Sequence, residues 1–212
     1  MNIQIVSVEG NIGSGKSTLI SSLKNMHQNS NKVYFLQEPV DEWTEIKDTE
    51  GINIIQKFYL NQKRYSFAFQ MMAYISRLAM LKRAIEHCKN SGIKVIICER
   101  SLNTDKYVFC KMLYDSGKIE SIEYQIYLKW FEEFIKEIPS MTYVYIKTDP
   151  KVALDRVLKR SRPGETIDLE YLTMCNNYHD MWLNTRNCFI IDGNYASSVT
   201  YEKVIEIVGS FI

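Results

Sequence analysis

Gly10-Asn11-Ile12-Gly13-Ser14-Gly15-Lys16-Ser17-Thr18 fits the spacing GxxxxGK[ST], directly after the apolar run Ile3-Gln4-Ile5-Val6-Ser7-Val8 and directly before a helical pattern. The run reads as a buried strand. The glycines that follow let the backbone curl so that consecutive N–H groups point inward at phosphate oxygens. Lys16 is placed to neutralise β- and γ-phosphates, and the Ser17 hydroxyl to hold Mg2+. The positive end of a helix starting near Lys16 adds its partial charge at the same spot. Residues Gly10 to Thr18 are therefore expected to cradle a nucleoside triphosphate.

Working outward, further apolar or β-branched runs occur at Val33–Gln37, Ile93–Cys98, Thr142–Lys147 and Cys188–Ile191, with helical spacing between them. Such alternation predicts an α/β fold with a parallel sheet, and continuous hydrophobicity implies helices on both faces. A chain of 212 residues with 46% apolar content is long enough for one sizeable core, so residues 1–212 read as a single domain. A long helical pattern runs from about Ile54 to Asn90, with a break near Asn61-Gln62-Lys63. From Phe67 to Cys88 it is apolar nearly all round, which predicts burial on several sides. Gln70, Ala73 and Arg77 share one face of it. A structural reading is open here, with Gln70 satisfying a backbone group and Arg77 pairing with a carboxylate. The last helix is expected from about Thr200 to Ile212, with Val204, Ile207 and Val208 as its apolar stripe.

Net charge is +1, so no basic field exists to hold a nucleic-acid backbone. The five cysteines, Cys88, Cys98, Cys110, Cys175 and Cys188, show no CxxC spacing, which argues against a disulfide framework and a zinc site. No run reaches the roughly 18 apolar residues of a membrane span. The N-terminus enters a strand without a targeting segment, so the expected location is cytoplasmic, in the host cytoplasm if the source is viral.

Two strand ends carry carboxylates. Glu38 follows the second strand, in Gln37-Glu38-Pro39-Val40-Asp41-Glu42-Trp43, and Glu99-Arg100-Ser101 follows the third. Ligands of open α/β sheets sit at that edge, so Glu38, Glu99 and Arg100 are expected to converge on the γ-phosphate region. These types suit phosphoryl transfer to a hydroxyl. One carboxylate takes the hydroxyl proton, another orders Mg2+, and a guanidinium balances charge. After Thr148-Asp149-Pro150, a helix-start signal, come Arg156 and Arg160 at i and i+4, then Lys159 and Arg162 before Pro163-Gly164-Glu165. Residues 150–168 read as an arginine lid over the triphosphate that excludes water. The alternative is a solvated basic helix face. Asp192-Gly193-Asn194 is a turn signal at the last strand and is placed near an adenine.

Taken in order, the phosphate loop, Glu38-Pro39, Arg64-Tyr65-Ser66-Phe67-Ala68-Phe69-Gln70, Glu99-Arg100-Ser101, the arginine lid and Leu169-Glu170-Tyr171-Leu172 resemble the deoxyribonucleoside kinase family over nearly the whole chain. The resemblance implies a P-loop NTPase-like fold, a five-stranded parallel sheet wrapped by helices, and a homodimer. It also implies ATP as phosphoryl donor, Mg2+, and a deoxynucleoside as acceptor in nucleotide salvage. By it, Glu38 is the general base on the 5′-hydroxyl, oriented by Arg100 and assisted by Arg162. Gln70 reads the base edge, Phe69 and Phe109 sandwich the ring, and Trp43 walls the pocket. Tyr59 and Glu165 bond the 3′-hydroxyl. Glu99 is the Mg2+-associated acid, and Arg156 and Arg160 hold phosphates.

Ala73, Arg77 and Asp105 resemble the deoxycytidine and purine deoxynucleoside branch. Physically, Asp105 can accept from an exocyclic amine while Arg77 offsets its charge; thymine offers only an acceptor oxygen there. Lys106 and Phe58 stand where the family more usually has Arg and Met. Other readings are a thymidine-preferring kinase, a thymidylate-type nucleoside monophosphate kinase, and a catalytically silent ATP-binding module. The monophosphate reading conflicts with Glu38, which would repel a dianionic acceptor.

Overall fold

Strand β1 (Gln4–Gly10) is buried along all but its first residue, because it lies in the middle of a sheet covered on both faces. In the computed structural model, which describes residues 3–28, 30–195 and 197–209, β1 pairs in parallel with β3 (Val95–Glu99) and β4 (Met141–Lys147). Strand β2 (Val33–Leu36) adds outside β3, and β5 (Cys188–Asp192) outside β4, giving the order β2-β3-β1-β4-β5. The α/β class and the five parallel strands match the expectation from sequence. The order reverses direction at β1, and that switch point places the ends of β1, β2 and β3 side by side. Register sets Glu99 beside Val8, one strand over from the phosphate loop.

Alternation along the strands divides two cores. Ile5 and Ile96 face one side with Tyr74, Leu78, Leu81, Leu113, Tyr127 and Leu172. Val6, Val8 and Ile97 face the other, against Leu19, Ile20 and Leu23 of α1 (Lys16–Met26) and Val204 of α10 (Ser197–Gly209). Ile207 joins that second core. The side chain of Val208 and residues 210–212, part of the expected last helix, lie outside the described residues.

Short α2 (Val40–Glu45) follows β2, and the long helical pattern resolves into α3 (Ile54–Leu60) and α4 (Gln62–Ser91). Asn61 causes the break: it ends α3, and its side chain accepts from the Arg64 N–H to cap α4. The sequence predicts burial of α4 on several sides; one flank is fully buried, and Phe67, Phe69, Met71 and Met72 are half-buried against neighbouring clusters. Gln70, Ala73, Tyr74, Arg77, Leu78 and Leu81 lie inside, whereas Ile75 is 43% exposed. Helix α7 (Ser121–Phe134) lies alongside through Tyr74, whose hydroxyl donates to the Trp130 carbonyl at 3.1 Å. The predicted third strand also starts late. The Ile93 N–H still donates to the Cys88 carbonyl as the chain leaves α4, so extended pairing begins at Val95.

After β3 comes α5 (Leu102–Thr104), a π-helical segment Asp105–Cys110, and α6 (Lys111–Asp115). π segments are rare and recur at functional sites; this one carries Asp105 and Phe109. Asp149 caps α8 (Pro150–Arg160) with Pro150 in its first turn, as the Asp-Pro signal predicts. Helix α9 (Leu169–Leu183), capped by Asp168, packs against α8 and the π segment.

Candidate active site

The carboxyl ends of the strands open into a cavity of about 810 Å3. The glycine-rich loop before α1 contributes Ile12 to Thr18 to its lining, where the sequence predicts a phosphate. Gly10 and Asn11, also expected at the triphosphate, are outside the lining. Asn11 ties the loop to α9 by donating from Nδ2 to the Leu172 carbonyl at 2.8 Å. Gly13 has φ +80, and a Cβ there would stand 2.4 Å from the Ala153 carbonyl oxygen. Helix α8 therefore packs directly on the loop.

Lys16 is buried, and its ammonium donates to the Asn11 carbonyl at 2.7 Å. Burial, aided by the Arg100 charge and opposed by Glu99, Glu38 and Glu9, lowers its pKa to about 7. The Ser17 hydroxyl donates to Glu99 Oε1 at 2.6 Å. The two oxygen groups named for a metal thus already touch. Among the described residues no cluster of three or more His, Cys, Asp or Glu side chains is assembled for a metal. This donor set suits Mg2+, which takes few protein oxygens and completes its shell with phosphates and water.

Arg77 lies at the centre. From α4 it donates to Asp105 Oδ2 at 2.9 Å, to Glu38 Oε1 at 2.7 Å and to the Glu99 carbonyl at 3.0 Å. Sequence reasoning pairs it with Asp105; the structure adds the contact with Glu38. Arg100 Nε is 3.5 Å from the same Glu38 oxygen. Burial works to raise the pKa of Glu38, but Arg77, Arg100 and Lys16 together outweigh it and hold the carboxyl down at about 2. Burial dominates at Asp105 and pushes it up to about 6, with Arg77 limiting the rise. Arg77 stays charged, since the two carboxylates outweigh the cost of its burial.

Arg100 has φ +63, in the left-handed region that non-glycine residues seldom enter. The surroundings hold it there. Its N–H donates to the Val8 carbonyl at 3.0 Å, its Nη1 to the Gly10 carbonyl at 2.8 Å, and its guanidinium lies 5.0 Å from the Phe109 ring centroid. Glu9 fastens the next residues. It is fully buried and accepts from the hydroxyls of Ser7 and Ser101, each at 2.7 Å, and from that of Thr104. A charged residue just before the glycines is the only sequence signal of this network.

Away from the loop, Gln70, Ala73 and Asp105 line the cavity, as do the aromatic rings of Phe69, Phe109 and Trp43. Gln70 is 3% exposed, and its Oε1 has no partner among the described residues. Trp43 donates to Ser76 Oγ at 2.8 Å and meets Phe69 edge-on. Phe58 stacks beneath Phe69 with centroids 4.8 Å apart, so its bulk sets the depth of this wall.

Tyr59 and Glu165 lie together. Burial and then the Glu165 charge keep the Tyr59 hydroxyl protonated. Glu165 also pairs with Arg160, and Arg162 Nη1 stands 3.9 Å away. Arg156, Arg160 and Arg162 all line the cavity, and Arg156 donates to the Tyr195 carbonyl at 3.4 Å. Gly193 lines it too. Asp192 is outside the lining, with Oδ1 accepting from the Asn194 N–H at 2.9 Å. Tyr171 and Tyr195, to which sequence reasoning gives no role, also line it. Tyr171 faces Tyr59 with ring centroids 6.4 Å apart.

The phosphate loop at one end and an aromatic slot with an amide and a carboxylate at the other fit a triphosphate donor and a planar heterocyclic acceptor. Comparison with known proteins agrees. A probable deoxycytidine kinase of fowlpox virus is 36% identical over 186 residues, covering 86% of this chain and 72% of its own length. Human deoxycytidine kinase is 30% identical over 240 residues, covering 99% and 91%. The mitochondrial deoxyguanosine kinase of Xenopus laevis is 30% identical over 202 residues, covering 88% and 75%. Residues 6–212 match the deoxynucleoside kinase family, and the chain belongs to it.

Proposed function

We propose that this kinase transfers the γ-phosphoryl group of ATP to the 5′-hydroxyl of deoxycytidine or a purine deoxynucleoside in preference to thymidine. The observation that carries the base preference is Asp105, a buried acceptor in the cavity lining backed by Arg77. A base with an exocyclic amine donates to it. Thymine presents a carbonyl oxygen, and the unmatched carboxylate costs about 1–3 kcal/mol, roughly 10- to 100-fold in selectivity. Gln70 supplies a second polar contact at the base edge, and Phe69 and Phe109 flank the ring.

In the reaction the 5′-oxygen bonds to the γ-phosphorus, the bond to the β,γ-bridging oxygen breaks, and ADP leaves. The hydroxyl proton passes to Glu38. A carboxyl held at about 2 is a weak base. In a loose transition state the attacking hydroxyl becomes acidic only late, so a positioned weak base suffices. Tyr59 and Glu165 hold the 3′-hydroxyl, while Arg156 and Arg160 close over the phosphates with Arg162 beside them. Ser17 and Glu99 would hold Mg2+, which when bound offsets negative charge on the phosphates. Lys16 turns to the same phosphates.

One kinase domain spans the chain in this reading, and two copies pair through α4 and α7. Ile75, Ile122, Ile126 and Trp130 are 41–65% exposed on those helices, an apolar face suited to a symmetric partner. All five cysteines are free thiols, which supports a reducing compartment such as the cytoplasm.

The reaction class is tested by offering deoxynucleosides and their 5′-monophosphates separately with MgATP and identifying the products. Formation of a monophosphate from the nucleoside supports this reading. Turnover of monophosphates alone removes Glu38 from its role.

A further inference from the structure

Glu38 sits in the short connection between β2 and α2, which offers its side chain little support of its own. Something must fix the carboxylate if it is to receive a proton in line with transfer. Arg100, the obvious candidate, is committed elsewhere through Gly10 and Phe109, and its Nε at 3.5 Å from Glu38 exceeds ordinary hydrogen-bond length. Arg77 reaches the same oxygen at 2.7 Å. Its planar fork is pinned on two further sides, by Asp105 at 2.9 Å and by the Glu99 carbonyl at 3.0 Å. It also stands in the middle of the 30-residue helix α4 and is 7% exposed.

We propose that Arg77 is a positioning residue for Glu38, anchored by Asp105, so that one guanidinium joins the base-reading end of the cavity to the proton acceptor. This deepens the proposed function and rests on it. A base that satisfies Asp105 leaves the fork undisturbed and Glu38 in place. A base that does not tilts the fork, and the penalty appears in turnover as well as in binding. The charged groups around Glu38 are Arg77 from α4, Arg100 from the end of β3 and Lys16 from the phosphate loop; Asp105 faces Arg77, Glu38 and Arg100.

A double-mutant cycle read in kcat at saturating deoxycytidine tests the proposal. Removing Arg77 alone would strand buried carboxylates, so Arg77→Gln is combined with Asp105→Asn, which removes both charges together. The pair is compared in the native and Glu38→Gln backgrounds. If Arg77 acts through Glu38, kcat falls about 10-fold in the native background and less than about 2-fold in the Glu38→Gln background. Equal loss in both, or a change confined to KM, overturns the proposal. Arg77→Lys keeps the buried charge and alters only the fork, so it covers the case in which the neutral pair fails to fold. The same non-additivity is expected of it, and an additive result overturns the proposal there. The native enzyme separates the two failures. No nucleoside turnover defeats the proposed function, whereas turnover with an additive cycle defeats only this inference.

Discussion

Glu38→Gln tests the proton acceptance proposed for Glu38 while nearly preserving its shape. Glutamine keeps the volume, and its amide oxygen can still accept from Arg77, now 2.7 Å from Oε1, and stay near Arg100 at 3.5 Å. What disappears is the proposed acceptor of the 5′-hydroxyl proton, together with one negative charge facing Arg77 and Arg100. General-base contributions run to about 10²–10⁴-fold, and a base held at about 2 belongs at the lower end, so we predict a kcat loss of about 10²-fold. That corresponds to ~3 kcal/mol of transition-state stabilisation. KM for the nucleoside should move less than about threefold, because Tyr59, Glu165, Gln70 and the aromatic slot are untouched. The assay is ADP release with deoxycytidine varied at saturating MgATP, with a melting curve to confirm the fold. A kcat within about threefold of native would refute the reasoning and leave Glu38 a structural partner of Arg77.

We predict that Arg77→Met with Asp105→Ala shifts the ratio of kcat/KM for thymidine over deoxycytidine upward by about 10-fold or more. Turnover should fall on both bases because Glu38 loses its closest contact, and loss without a change in ratio would make the pair purely structural. Asp105 gives a pH test by stability. Its folded value of about 6 lies above the ordinary 3.8, so ionising it costs stability as pH rises through that window, by up to ~3 kcal/mol. Asp105→Asn should therefore gain on native as pH is raised from 4 to 7 in denaturant titrations, and a constant difference would contradict the burial account. Glu38 runs the opposite way: its folded value of about 2 contributes stability present above the ordinary 4.5 and lost as pH falls toward 2. Gly13→Ala puts a methyl 2.4 Å from the Ala153 carbonyl at φ +80, so KM for ATP should rise more than about 10-fold or the fold should weaken by more than ~2 kcal/mol. Native behaviour on both counts would mean that α8 does not rest on the loop.

The phosphate loop, the parallel sheet and the helix break at Asn61 were legible because each has a local cause: glycine spacing, apolar runs, and a capping side chain. Gln70, Ala73 and Arg77 were also legible as one helix face, since their spacing fixes it. The three-way engagement of Arg77 was not. It depends on the ends of β2 and β3 and the start of the π segment meeting in space, and no spacing along the chain encodes that Glu38 approaches from β2 while Asp105 approaches after β3. The π segment was hidden for a similar reason, because it is set by packing between α4, α7 and α9. Glu9 reads as a strand residue, and its role becomes visible only when the hydroxyls of Ser7, Ser101 and Thr104 surround it. Apolar composition alone does not distinguish a flank packed within one copy of the chain from a face such as that of Ile75, which is exposed in the single chain and is proposed to meet a second copy.

The most direct test is an initial-rate comparison of deoxycytidine and thymidine as acceptors with MgATP on the native enzyme. Deoxycytidine is expected to lead by about 10-fold or more in kcat/KM, because its amine satisfies Asp105. Equal rates, or a lead for thymidine, would contradict the reading of Asp105 and Arg77 as the selector of the base.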